Sequence, residues 1–280
     1  MEQDHLLRRN QSLMDHIPTD PFSNSGFHFT LGKGVLMVAH GERGGRLNNA
    51  ALLDLVDQIR DRLDGVEIEA GVLKGEPSLS EGWDGLSAED RYIYPFFMSD
   101  GFFVSRILPK KIREAVGFHG NELTMLAPFG ISPQLGPALL INLKRTLAGL
   151  GRQAEIPPLL IAAHGASVDK QSSLRANQLA NYLSESGRFS EVHCAFLDEA
   201  PYLEDIVPDL NPQSLVLPLF NGLGSHSIDD MSALRIKSPN GVHYLPPVGG
   251  EEWVADIVAH DIEQALFGSG HQIACQDAAQ

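Results

Sequence analysis

The chain has 280 residues, 43% of them hydrophobic and 20% charged, and a formal net charge of −15. That size and balance can bury a full core and house two domains, which excludes a disordered chain. The acidic surplus argues against a nucleic-acid surface, because neutralising phosphates takes an excess of Lys and Arg, so an anionic ligand must meet a local basic patch. Cys194 and Cys275 are far apart and fit neither a disulfide framework nor a thiolate metal site, which points to a reducing cytoplasm. No apolar stretch approaches the ~18 residues of a membrane span. The opening MEQDHLLRRNQSLMDHIP lacks a basic start followed by an apolar core, so residues 1–31 read as a loosely docked extension rather than a signal peptide.

In chain order, short apolar runs alternate with helix-like segments. Strands are expected at 34–39, 66–73, 91–97 and 123–127, then at 158–163, 191–197, 214–219 and 242–246. Residues 48–63 and 172–186 space their apolar positions by three and four, the period of an amphipathic helix. Continuous apolar strands linked by helices indicate parallel sheets covered on both faces. The segment 149–158, GLGRQAEIPP, is the natural linker.

The chain also repeats itself. LMVAHGERGG at 36–45 corresponds to LLIAAHGASV at 159–168, which sets His40 against His164. VLKGEPSL at 72–79 corresponds to FLDEAPYL at 196–203, and LAPFG at 126–130 to LPPVG at 245–249. Aligning Pro95 with Pro218 puts Phe103 opposite His226, so the second copy carries two histidines where the first carries one. A copy of about 120 residues is too long for a solenoid unit and reads as a duplicated domain. The expected architecture is α/β, with two similar doubly wound domains, 32–150 and 151–280, each holding a four-stranded mainly parallel sheet, around a central cleft. In such sheets ligands bind beyond the carboxyl ends of the strands, where both histidine turns fall.

His164 and His226, at corresponding strand ends of one sheet, can converge on a point. Imidazoles are common ligands of divalent first-row metals, and a pair of them leaves open positions for an ion that must be handed over. Asp230, four residues after His226, could orient that ring or simply charge a helix N-terminus.

With these residues in place the chain resembles the class II chelatases, the sirohydrochlorin cobaltochelatases and ferrochelatases of cobalamin and sirohaem synthesis. The resemblance rests on the AHG turns and on the Gly-x-His-x-x-x-Asp turn at 224–230, and spans roughly 34–268. It implies a chelatase-like fold and ATP-independent insertion of Co2+ or Fe2+ into sirohydrochlorin or a related tetrapyrrole, while two imidazoles plus carboxylates by themselves suit Co2+, Ni2+, Fe2+ and Zn2+ alike. By motif, His164 and His226 take the metal-site roles, and Asp198 and Glu199 stand where an acidic residue is expected. The family's turn often continues His-Gly-Ser-Arg; Arg43 keeps that basic position in the first copy, whereas the second reads HGAS.

Metal insertion displaces two pyrrole protons, so the site needs proton acceptors as well as ligands, a part assigned to His164, His226, Asp198 and Glu199. The first copy is expected to grip the substrate instead. Residues 101–150 hold 6 basic residues against 2 acidic ones, and Arg106 and Lys110, together with Arg43 and His40, could anchor the carboxylates of a polycarboxylate tetrapyrrole.

Other classes fit less well. A histidine phosphatase needs Arg before its histidine, and Ala39 and Ala163 stand there. FNGLGSHS supplies only part of a dinucleotide fingerprint and no phosphate loop follows, so no nucleotide is expected. A non-catalytic metal or tetrapyrrole carrier with the same two lobes would need the same ligands.

Overall fold

The structure is a computed structural model that describes residues 32–41, 46–117, 123–166, 169–222 and 225–268, with only the backbone of 46, 47 and 225–230. The extension 1–31, Arg43 and Cys275 lie outside the described residues. Two four-stranded sheets hold the fold together, each parallel throughout. The first runs in the order β2-β1-β3-β4, with β1 at Lys33–Ala39, β2 at Val66–Val72, β3 at Asp90–Pro95 and β4 at Thr124–Met125. The second repeats it as β6-β5-β7-β8, with β5 at Leu159–Ala163, β6 at Val192–Phe196, β7 at Leu215–Leu219 and β8 at His243–Tyr244.

The central strands β5 and β7, and β1 after Lys33, are apolar without interruption because both faces of each sheet are covered, whereas β2 interposes Glu67 and Glu69 among its buried positions. Val35 and Met37 of β1, with Leu159, Ile161 and Ala163 of β5, point into one shared core. Their neighbours point the other way: Leu36 and Val38 enter a separate cluster, and Leu160 and Ala162 a third. This alternation is the period of two dictated by the pleat.

Four helices fill the shared layer. They are α1 (Ala50–Arg60), α4 (Leu135–Gly149), α5 (Gln171–Glu185) and α8 (Val254–Phe267). In α4 the residues Leu135, Leu139, Leu143 and Leu147 recur every fourth position and are all buried in this layer. Burying one such leucine is worth roughly 1.5–3 kcal/mol, so the layer binds both sheets into one body. The outer faces carry α2 (Leu79–Gly85) and α3 (Leu108–Val116) on the first sheet, and α6 (Leu203–Ile206) and α7 (Ser225–Lys237) on the second.

Edge strands β4 and β8 are shorter than the apolar runs suggest, at two residues each. Leu126 and Leu245 still donate their N–H groups to Ile93 and Val216, at 2.7 and 2.9 Å. Pro128 and Pro246 follow, and proline has no N–H to extend a ladder. The chain then turns so that Gly130 N–H donates to Phe97 C=O and Gly249 N–H to Phe220 C=O, both at 2.8 Å. A Cβ on Gly130 would come within 2.0 Å of the Met98 backbone, and one on Gly249 within 2.3 Å of the Asn221 backbone. The two glycines therefore mark the same close approach in each copy.

Candidate metal and substrate site

In each sheet the chain moves from the central strand to one side and then to the other, so β1 and β5 are the strands at which the winding reverses. Crevices form beyond the carboxyl ends of strands at such points. His40 follows β1 and His164 follows β5, each on the first residue past the strand. Register confirms the equivalence, since Val38, two residues before His40, pairs with Pro95, and Ala162, two before His164, pairs with Pro218.

The second copy builds an acidic, imidazole-bearing corner. Gly165 has φ +71°, and a Cβ there would lie 2.9 Å from Phe196 Cβ and Glu199 Cγ, so only glycine lets the chain turn this close to β6. That turn leaves the His164 side chain 63% exposed, with Nδ1 3.3 Å from Asp198 Oδ2 and 3.3 Å from the Gly165 carbonyl oxygen. Both neighbours of Nδ1 are oxygen acceptors, so a ring with its proton on Nδ1 would leave the Nε2 electron pair for a ligand, with Asp198 beside it to orient the ring.

Glu199 sits next to Asp198 in sequence but in a different environment. Its side chain is buried, accepts from Ala166 N–H at 3.0 Å, and is paired with Lys170 Nζ. Burial would raise its pKa, but the hydrogen bonds from Lys170, Ala166 and Ser173 and the Lys170 charge outweigh this and hold the carboxyl below its ordinary value. Glu199 thus fastens the His164 turn to α5. His226 is the second residue of α7, the helix that follows β7, and so lies beyond the strand adjacent to β5. Among the described residues no three His, Cys, Asp or Glu side chains form a metal-binding group; His164 and Asp198 stand as a pair. Cys194, buried in the core with its thiol pushed up to about 12 by burial, takes no part.

The first copy keeps the backbone and changes the chemistry. Gly41 also has φ +71°, with the Lys74 carbonyl 2.4 Å from where a Cβ would stand. Burial lowers the His40 pKa, and the nearby charges of Lys74 and His164 lower it further, so the ring is neutral near pH 7 and the two histidine turns lie within electrostatic reach of each other. Phe103 meets His40 edge-on at 6.4 Å between ring centroids and packs against Phe97 at 5.6 Å. It opens a single π-helical turn, Phe103–Ile107, that leads into α3. Arg106 lies on this turn and is exposed; Lys110 follows on α3, also exposed, 3.8 Å from Glu114.

Among the contacts that tie the two copies together are hydrogen bonds at three places, none evident in the sequence. Asp169, just after the His164 turn, accepts from the Phe102 N–H at the start of the π-helical turn. Asn221, after β7, donates to the Phe96 carbonyl after β3. Deeper in, Asp261 of α8 accepts from Tyr94 O–H at 3.0 Å and from Ser132 Oγ at 2.8 Å, and burial raises its pKa in spite of these bonds. The match of VLKGEPSL to FLDEAPYL likewise sets Lys74 against Asp198.

The CbiX family model matches residues 34–146 and again 158–265, one match per copy. The chain belongs to the CbiX family of class II chelatases. Within that family the similar solved structures include CbiX described as the terminal enzyme of sirohaem biosynthesis in denitrifying bacteria. It is 27% identical, with a TM-score of 0.73, over 83% of this chain and 99% of that one. SirB from Bacillus subtilis, solved with Fe3+, superposes with a TM-score of 0.67 at 16% identity, over 83% of this chain and 94% of that one, and shows the shared fold. A probable sirohydrochlorin cobaltochelatase of Halobacterium salinarum is 22% identical over 218 residues, covering 70% of this chain and 74% of that protein. Among the described residues no helix is long and apolar enough to cross a membrane.

Proposed function

We propose that this CbiX-family chelatase inserts a divalent metal, Co2+ or Fe2+, into sirohydrochlorin or a closely related tetrapyrrole without a nucleotide. The observation that carries this reading is the His164–Asp198 pair at the carboxyl ends of β5 and β6, next to the strand whose following helix bears His226. Family membership and the names of the relatives support it.

The ion is substrate here, and His164 and His226 receive it. Asp198 holds the Nδ1 proton of His164, which leaves Nε2 to bind the metal or take a pyrrole proton. Exchange of one M2+ for two N–H protons conserves charge, and the protons leave by way of His164 and Asp198, both more than half exposed to solvent. Glu199 serves as a positioning residue, because its carboxylate is already committed to Ala166 and Lys170.

The first copy supplies the opposite wall. Phe97 and Phe103 beside the neutral His40 give an apolar surface for the flat macrocycle, and Arg106 and Lys110 lie beyond it to meet peripheral carboxylates, with Arg43 assigned the same part by sequence. An anaerobic absorbance assay with sirohydrochlorin and Co2+, Fe2+ or Ni2+ in turn tests the proposal, since metallation changes the chromophore. Catalytic release of metallated product is expected. Stoichiometric binding with no release would contradict it and mark a carrier.

A further inference from the structure

The two copies place residues of opposite charge on one backbone position. Lys74 N–H donates to the His40 carbonyl at 3.0 Å, and Asp198 N–H donates to the His164 carbonyl at 2.9 Å. Two residues earlier Val72 N–H donates to Pro77 C=O, and Phe196 N–H to Pro201 C=O, both at 2.9 Å. Lys74 and Asp198 are therefore structural equivalents, each emerging from the strand beside its own histidine. In the second copy the side chain pairs with the imidazole; in the first it lies close enough to His40 to disfavour protonation of that ring.

Lys74 is exposed, and no carboxylate forms an ion pair with it among the described residues. An exposed ammonium group near a neutral ring is suited to meet an anion. It also repels a cation from His40, while Asp198 attracts one toward His164.

We propose that Lys74 binds a peripheral carboxylate of the tetrapyrrole and so holds the ring against the first wall. The proposal rests on the function set out above and adds to it a specificity-determining residue. The charge inversion between Lys74 and Asp198 sorts the two parts of the reaction: carboxylate to the first wall, metal to the second.

The test compares Lys74→Met, Lys74→Glu and Lys74→Arg in the full chain by two readouts. Direct binding of uroporphyrin, a fluorescent metal-free tetrapyrrole polycarboxylate, is titrated at low salt; Co2+ binding is titrated without tetrapyrrole. Lys74→Met is expected to weaken uroporphyrin binding roughly 5- to 10-fold and Lys74→Glu further, with Lys74→Arg within about 2-fold of wild type. KM for sirohydrochlorin rises in parallel while kcat and Co2+ affinity at the second wall hold. Wild-type binding of uroporphyrin by Lys74→Met and Lys74→Glu, in a protein that still metallates sirohydrochlorin, overturns the role of Lys74 alone. A wild-type protein that neither binds uroporphyrin nor metallates sirohydrochlorin overturns the functional reading, and this role with it.

Discussion

His164 Nδ1 lies 3.3 Å from Asp198 Oδ2, and the equivalent position beside His40 holds Lys74. One pair sets a carboxylate beside an imidazole; in the other the ammonium charge adds to burial in disfavouring protonation of the ring. Under the proposed function one wall meets the cation and the other the anion. The composition follows the same division, with 15 basic and 19 acidic residues in 1–150 but 6 and 17 in 151–280.

If Asp198 orients His164, then Asp198→Asn keeps the fold and weakens the ligand. The expected loss is about 10- to 100-fold in metal affinity or kcat, with KM for the tetrapyrrole little changed. Steady-state kinetics of metal insertion decide it, and unchanged kcat would remove Asp198 from the mechanism.

Two substitutions separate the walls, and reversing them should restore the lost site. Combining Lys74→Asp with Phe103→His gives the first copy the residue types of the second at the ends of all three strands. Calorimetric titration with Co2+ is expected to show a second equivalent bound in the double variant and not in wild type. Stoichiometry that stays at the wild-type value would mean the walls differ by more than these positions.

Glu199 gives a pH-dependent prediction. Its folded pKa lies below the ordinary 4.5, so the carboxylate stabilises the fold above about pH 4.5, and that contribution is lost as pH falls through the lowered value. Glu199→Gln should cost about 1–3 kcal/mol near pH 7, with the gap to wild type closing in acid. Urea unfolding at pH 7 and pH 3.5 reads the difference. A gap that widened on acidification would reverse the sign and contradict the assignment.

The Tyr94–Asp261 bond ties β3 to α8 inside the core, with the tyrosine fully buried. Tyr94→Phe removes one hydrogen bond and no packing, at a cost of about 1–2 kcal/mol. Denaturant midpoints provide the measurement; an unchanged midpoint would show that Ser132 alone satisfies Asp261.

Much of this architecture is legible before any coordinates. The eight described strands fall where apolar runs mark them, most plainly in the central strands that are covered on both faces, and the AHG turns announce themselves by a glycine that must take positive φ. The linker 149–158 separates α4 from β5 as its Gly and Pro content suggests. What composition could not show are contacts made across the two copies. Asp169 meets a backbone N–H 67 residues away and Asp261 a hydroxyl 167 residues away, and neither spacing leaves a local pattern. Asp198 and Glu199 look alike as neighbouring acids, yet burial gives one to the cleft and the other to Lys170. The backbone equivalence puts Lys74 where Asp198 stands in the second copy.

The central claim is that the second wall handles the metal and the first handles the ring. It is tested most directly by anaerobic insertion of Co2+ into sirohydrochlorin by wild type, His164→Ala and His40→Ala under matched conditions. His164→Ala is expected to lose about 100-fold or more in kcat, and His40→Ala to keep kcat within about 10-fold with its loss mainly in KM. Full turnover by His164→Ala alongside an inactive His40→Ala would contradict the account.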